Sequence, residues 1–446
     1  MNTELIINRI SAGGIDSVVG DNWVSTIVKN GAIYSIRNAL QEIGIFNRIR
    51  ELTLFAIEKT AGPEISNQID AVGFESMHLL LTPQQLDQVH RRLTSVLNPL
   101  SLTIGKRFGE KIFNCQDDFF VEDQPNYRIF IPYDYYAKSD KYFKNFENNY
   151  GPGKLTLHGP HHDSWYYHPL NAINIWTAIT DVKPGKGLSI WPSVWGKRLP
   201  FDQKYQIRRD QYFGRPFNFD LQPGDAIVFS AEHLHASELN RLQSTRFVLS
   251  FRMTLGKPVY YGDEIYNYVN SNEITDIYDN IGVKEDIDKK LLVDKMRRYK
   301  FAKETKFDFT IRNNKVPPTD DLSSGFPPEI NAEFHEGGRF ASFEADLVKE
   351  GEISPLNRSV CVTRSKGNII AFSRICPHQY ADLAAGYIQD EHVFCPWHNL
   401  ALNIHTGNST CNSLANLKIF PVTLNDTMVV VDLSKSEIKE QKSLNA

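Results

Sequence analysis

A mainly β fold with helical additions is what this sequence predicts: a larger sandwich or jelly-roll barrel, followed by a small second all-β domain. Three observations carry that prediction. Short apolar or alternating segments recur between residues 61 and 258 ("KLTLHG", "AINIWTAI", "GLSIWP", "DAIVFSA", "RFVLSFRMTL"), with turn signals at "KPGKG" and "QPGD" and no long helix between them. The stretch "NNKVPPTDDLSSGFPPE" over 313–329 reads as a Pro-rich linker. Beyond it, residues 333–434 form a second short-strand region.

Residues 1–60 carry helix-like apolar spacing, as at Ile36, Leu40, Ile43 and Phe46, and read as a helical N-terminal cap. The strand region 61–258 follows. In "RFVLSFRMTL" the apolar Phe247, Leu249, Phe251, Met253 and Leu255 alternate with Arg246, Ser250, Arg252 and Thr254, the pattern of a half-buried strand with one largely polar side. Residues 259–332 are charged and Tyr-rich, with helical stretches such as "EDIDKKLLVDKMRRYKFAK" running into the linker. The tail 435–446 reads as disordered.

At 446 residues and 51.0 kDa the chain has room for two or three compact domains. A formal net charge of -4 gives no field that would draw nucleic acid or an anionic membrane, so neither is expected as a partner. The N-terminus "MNTELIINRISAGGIDSVVGDNW" lacks a basic start leading into an apolar run, and nowhere do eighteen apolar residues run together. The expectation is a cytoplasmic protein. Of the five cysteines, Cys115, Cys361 and Cys411 have no regular spacing, which argues against a disulfide framework and suits a reducing compartment.

The other two cysteines stand in short motifs, Cys376-Pro-His378 and Cys395-Pro-Trp-His398, separated by sixteen residues. Two thiolates and two imidazoles suit a tetrahedral zinc, or a 2Fe-2S cluster with the thiolates on one iron and the imidazoles on the other, and spacing alone permits both. The surrounding "CPHQYADLAAGYIQDEHVFCPWHNLALNIHTG", with its glycine turn at Gly407, resembles a Rieske ferredoxin domain over about a hundred residues. That resemblance implies Cys376 and Cys395 on the inner iron and His378 and His398 on the outer one. Neither ligand loop holds an extra cysteine, so the type implied is that of oxygenases and ferredoxins, served by a ferredoxin or flavin reductase. Cys411 and His405 lie outside the motif and read as packing.

Six of the thirteen histidines fall in two segments: His158, His161, His162 and His168, then His233 and His235. Such clustering is a metal signal. In "HGPHHDSW", His161 and Asp163 share one side of an extended strand, and a histidine from a distant strand would complete a two-histidine, one-carboxylate triad. Downstream, "GDAIVFSAEHLHASELNRLQSTRFVLSFRM" carries His235, Ser237, Asn240 and, eleven residues after His235, Arg246. With "GKGLSIWPSVWGK", containing Gly187, Leu188, Pro192 and Ser193, this ordered chain of motifs over about 155–255 resembles the phytanoyl-CoA dioxygenase family of iron(II)- and 2-oxoglutarate-dependent oxygenases.

The resemblance implies a double-stranded β-helix (jelly-roll), with His161, Asp163 and His235 as iron ligands. It also implies Arg246 on the distal carboxylate of 2-oxoglutarate, Ser237 assisting, and Trp176 walling the cosubstrate pocket. His233 competes with His235, since residues two apart on a strand face alike; the register with Ser237, Asn240 and Arg246 favours His235. His162 faces away from His161 and reads as structural. His158 and His168 are candidate substrate contacts or core residues, and Trp165, Tyr166 and Tyr167 are pocket lining or packing. By the same resemblance, the intact Asp163 argues against a halogenase and for hydroxylation or another ordinary oxidation. The stretch 131–151, "IPYDYYAKSDKYFKNFENNYG", is a candidate lid, binding loop or solvated surface.

The function these readings support is an iron- and 2-oxoglutarate-dependent dioxygenase, hydroxylating a small-molecule or natural-product intermediate with O2. Its Rieske cluster would supply single electrons that keep or restore Fe(II). Two alternatives stay open: a Rieske-type oxygenase fed from NAD(P)H without 2-oxoglutarate, and a redox sensor. Arg246 favours the first reading, because a pure Rieske mechanism has no dicarboxylate to hold. A homo-oligomer is compatible with the flexible linker, which can serve the same or a neighbouring subunit.

Overall fold

A computed structural model describes residues 6–11, 14–17, 22–138, 159–197, 199–201, 207, 211–260, 264, 266–280, 287–291 and 326–435. "KLTLHG" before Gly159, most of 285–303, the lid candidate after Lys138, the linker up to 325 and the tail from 436 lie outside them. Contacts divide the chain into two compact units, one of residues 1–206 with 217–320 and the other of 207–216 with 321–446.

The first unit is built on strands β1 (Ile7–Ser11), β2 (Gly14–Ser17), β3 (Ile33–Ile36), β4 (Phe119–Glu122), β5 (Asn126–Phe130), β6 (Ala172–Ala178), β7 (Leu188–Ile190), β8 (Phe217–Asn218), β9 (Ala226–Ser230), β10 (His235–Ser237), β11 (Arg246–Leu255) and β12 (Tyr268–Asn270). A large antiparallel sheet runs β12-β4-β11-β6-β9-β3-β1-β2, with β5 also paired to β11, and a small sheet runs β10-β7-β8.

Period-two alternation gives the large sheet two different faces. Ile173, Ile175, Phe247, Leu249, Phe251 and Met253 form a core with helix residues including Leu86, Val89, Leu93, Ile104 and Phe108. On the other face Trp176, Ala178, Ile227, Phe229 and Val248 pack with Leu188 and Ile190 of the small sheet. The second face is where β11 departs from expectation. It is not half-buried: every residue from Arg246 to Thr254 is buried, and its polar side points into the protein rather than to solvent.

The N-terminal region is also not purely a helical cap. β3 pairs with β9, and β1 and β2 extend the sheet from there. Ile36, which fits a helical stripe in the sequence, ends strand "IYSI" instead, and Asn38 with φ 55° turns the chain away from it. The helical layer then continues past residue 60 to Lys111. The helix Pro83–Leu97 starts with a reciprocal Thr82–Gln85 capping box, and buries Leu86, Val89, Leu93 and Leu97 along one stripe.

The second unit is all-β apart from single 3-10 turns. Its strands are β13 (Glu333–His335), β14 (Phe340–Glu344), β15 (Ile353–Pro355), β16 (Val360–Ser365), β17 (Asn368–Ser373), β18 (Tyr387–Gln389), β19 (His392–Phe394), β20 (Ala401–Asn403), β21 (Ile419–Phe420), β22 (Val422–Asn425) and β23 (Met428–Asp432). They form sheets β13-β14-β23-β22, β15-β16-β17-β21 and β18-β19-β20. Phe343, Leu356, Val362, Ala371, Val429 and Val431 fill the core between the first two. Within this unit Arg215 lies over the Tyr387 ring at 4.6 Å and donates to Gln389. Gly407 takes φ 76°, and a Cβ there would stand 2.2 Å from the Leu417 carbonyl oxygen, so this turn requires glycine.

Candidate functional site

In the first unit, His161 and His235 exchange backbone hydrogen bonds of 3.0 Å in each direction, which sets their rings side by side with centroids 4.3 Å apart. The extended strand expected through His161 and Asp163 is shorter than the sequence suggests. His161 makes a single bridge, and a 3-10 turn begins at Asp163, whose N–H donates to Ala231 O at 3.0 Å. The three side chains still converge. Both histidine Nε2 atoms lie 3.7 Å from Asp163 Oδ1, and the three ligand atoms are within 4.8 Å of one another.

Backbone carbonyls choose the tautomers. His161 Nδ1 sits 2.7 Å from Gly159 O and His235 Nδ1 2.9 Å from His233 O, so in each ring Nδ1–H donates and Nε2 presents its lone pair to the centre. Burial, reinforced by the neighbouring His235, holds His161 well below the usual imidazole range, and burial lowers His235 too. Burial opposes ionisation of Asp163, but the Arg252 guanidinium outweighs it and keeps the carboxyl well below its ordinary value. Two neutral imidazoles and a carboxylate are the donor set a divalent iron needs, and they leave half of an octahedron open.

Arg246 starts β11 and is 1% exposed. Its Nη1 donates to the carbonyls of Lys186 and Gly187, at 3.0 Å to the former, and its guanidinium carbon lies 4.0 Å from the Phe130 ring centre and 5.7 Å from that of Trp176. Its Nε is buried without a hydrogen-bond partner. Burial, then Arg128, lowers its pKa to about 9 against the pull of Glu238. A buried guanidinium bonded only to carbonyls is the chemistry of an anion-binding site, which is the test a dicarboxylate cosubstrate has to pass here. The Glu238 carboxylate accepts from Gly185 N at 2.7 Å and Gly187 N at 2.8 Å, fixing the turn whose carbonyls steady Arg246. Ser237 stands two residues beyond His235 on β10 and so shares its face. Asn240 bonds Phe130 O and Ser244 O, a bracing role.

In the second unit the two cysteine loops repeat one pattern. Cys376 N donates to Ala381 O at 2.9 Å and accepts at its carbonyl from Tyr380 N at 3.0 Å; Cys395 does the same with Leu400 (2.9 Å) and Asn399 (3.1 Å). Tyr380 and Asn399 both adopt left-handed backbone, φ 60° and 54°, so each loop folds back over its sulfur. The thiols share a hydrogen bond, which brings Cys376 down to about 7 while burial pushes Cys395 well up. His378 and His398 face each other with ring centroids 5.3 Å apart. Backbone N–H groups of His378 and Gln379 approach the first sulfur and those of Trp397 and His398 the second, as a thiolate-bound cluster requires.

A Rieske [2Fe-2S] domain model matches residues 340–421, and a phytanoyl-CoA dioxygenase (PhyH) model matches residues 130–248. The ferredoxin component of the naphthalene 1,2-dioxygenase system of Pseudomonas putida is 31% identical over 91 residues, 20% of this chain and 88% of that protein. The chain carries a domain of the Rieske family, preceded by a region that matches the phytanoyl-CoA dioxygenase model. The oxygenase component of dicamba O-demethylase from Stenotrophomonas maltophilia is 30% identical over 104 residues, 20% of this chain and 31% of that protein. Among solved structures, the non-heme alpha ketoglutarate dependent epimerase SnoN from nogalamycin biosynthesis covers 39% of this chain and 59% of its own, at 15% identity and a TM-score of 0.21.

The residues present fit iron at the first unit and a [2Fe-2S] cluster at the second. Other candidates separate from these centres. His233 is packed between Trp195, stacked at 4.9 Å, and Phe229, outside the triad. His162 stacks on Trp165 at 4.5 Å, and Trp165 on Phe201 at 4.6 Å, which makes them packing. Tyr166 stands edge-on to His161 at 5.1 Å, and Tyr167 takes φ 70° to close the turn. His168 stacks on Tyr266 at 3.8 Å. Cys411 is buried, and His405 pairs with Glu391 at the surface. His158 lies outside the described residues.

Sequence reasoning missed Asn174, Arg252 and Glu122, which surround the far side of Asp163, and Arg128, which on β5 shares the inward face with Arg246. Their signal was the polar side of β11 itself, taken for a solvated face.

Proposed function

We propose that the chain is an iron- and 2-oxoglutarate-dependent dioxygenase that oxidises an organic small molecule, hydroxylation being the expected outcome, and that its Rieske domain serves to keep the iron ferrous. The observation that carries this reading is the buried Arg246 with its Nε unpartnered, in the same unit as a His161–Asp163–His235 donor set. A dicarboxylate cosubstrate explains a desolvated guanidinium; a pure Rieske oxygenase would leave it without purpose.

When iron and 2-oxoglutarate are bound, they supply with O2 a two-electron oxidant for a C–H bond and release succinate and carbon dioxide. His161, Asp163 and His235 hold the metal through Nε2, Oδ1 and Nε2. Arg246 pairs with the distal carboxylate, Ser237 adds a hydroxyl contact, and Trp176 with Phe130 walls the site against water. Cys376, His378, Cys395 and His398 would hold the cluster, which would offer single electrons as the means of returning an oxidised iron to the ferrous state. A ferredoxin or flavin reductase is the donor this requires.

Aerobic incubation with 2-oxoglutarate and a metabolite extract tests the reading. Products heavier by one oxygen, formed with succinate, support it. Oxidation that runs without 2-oxoglutarate when a reductase and NAD(P)H are supplied favours the Rieske-type alternative.

A further inference from the structure

At one rung of the large sheet, four polar side chains stand in a row on the face that looks into the barrel. β6 and β11 pair Asn174 with Arg252. One step along the β11–β4 register from Met253–Val121, Arg252 meets Glu122, and β4 and β12 pair Glu122 with Tyr268. All four are buried, none more than 9% exposed. A row of this kind across a sheet interior is costly to desolvate unless each member has a partner.

Asp163 docks on that row. Its Oδ2 accepts from Asn174 Nδ2 and from Arg252 Nε, the latter at 2.8 Å, while Oδ1 faces His161 and His235. The other arm of the guanidinium is taken by Glu122, with Nη1 at 3.1 and 3.4 Å from its two oxygens. Arg252 is thus a two-ended clamp, one end on the carboxylate that faces the metal centre and the other anchored in the sheet. Neither Lys nor a neutral side chain has the planar fork to serve both carboxylates.

We propose that Arg252 is a positioning residue that, with Asn174, locks Asp163 as a one-oxygen metal ligand. A free carboxylate can swing to offer both oxygens and so consume a coordination position. With Oδ2 held by two donors, only Oδ1 is available, and three positions of an octahedral iron stay open. The inference rests on the iron-site reading above, but not on 2-oxoglutarate or on turnover. The strand register does the positioning, and the ligand on the turn is fitted to it.

The experiment uses the full chain and Co(II) as the probe, by calorimetry and by the visible d–d spectrum, which reports coordination number. Arg252→Gln should weaken Co(II) binding roughly 10- to 100-fold and alter the spectrum, with Arg252→Lys recovering part of the affinity. Because Arg252→Gln strands Glu122, the double variant Glu122→Gln/Arg252→Gln is measured beside it, and Asn174→Ala removes one donor while leaving every buried charge paired. Asn174→Ala should lose several-fold in affinity while staying folded, with a melting temperature lowered less than in Arg252→Gln. Wild-type affinity and spectrum in the folded Arg252 and Asn174 variants would overturn this inference alone. Absence of Co(II) binding by the wild type would overturn the iron-site reading as well.

Discussion

At the scale of single residues, the chemistry is set by which atoms are left over once the fold has satisfied the rest. His161 and His235 spend Nδ1 on carbonyls and keep Nε2; Asp163 spends Oδ2 and keeps Oδ1; Arg246 spends Nη1 and keeps Nε. Arg246→Gln removes a charge-assisted pair worth about 1.5–3 kcal/mol, so KM for 2-oxoglutarate should rise roughly 10- to 100-fold, measured as succinate formed against cosubstrate concentration. An unchanged KM would remove Arg246 from the cosubstrate site. In the Rieske unit, Gly407→Ala puts a Cβ against the Leu417 carbonyl in a left-handed turn, and the strain of about 1–3 kcal/mol should lower the thermal midpoint of that unit.

Strands and helices decide how much of this was legible beforehand. The choice of His235 and the role of Arg246 came with the family resemblance, while the two ligand loops, the His161–Asp163 pair and the alternation of β11 follow from spacing, because metal ligands and period-two strands leave local marks. The polar row of Asn174, Arg252 and Glu122 did not, since an inward polar face alternates just as a solvated one does and its partners come from three separate strands. The N-terminal strands were hidden for a related reason: Ile33–Ile36 is four residues long, too short for its period to stand out, and pairing with β9 and β1 makes it a strand. The helical layer also carries a pH dependence. His78, in the short helix Met77–Leu80, bonds Thr245 Oγ1 at 2.8 Å next to Arg246, and burial holds it below its usual pKa against a backbone bond with Glu75. The folded chain keeps this imidazole neutral while the unfolded chain takes up a proton near pH 6.5, so its stability contribution is full above that pH and falls as pH drops below it. Thermal midpoints between pH 8 and pH 5.5 should fall more steeply for wild type than for His78→Gln; parallel slopes would remove His78 as the cause.

For the whole molecule, the proposed function raises the question of why an oxygenase that would draw two electrons from 2-oxoglutarate and two from its substrate carries an electron-transfer domain. A turnover that uncouples leaves iron oxidised by one electron, and one electron is what a Rieske cluster delivers. Cys395→Ser, which removes a cluster ligand, should leave the yield of the first turnover intact and shorten the active lifetime under multiple turnover; an equal loss in both would tie the cluster to every cycle. Among the described residues no helix is long and apolar enough to cross a membrane. The most direct test of the central claim is succinate counted against oxidised product, with and without a reductase and NAD(P)H. One succinate per product is expected in the first turnover, independent of the reductase. Product formed without 2-oxoglutarate and only when the reductase is present would contradict it.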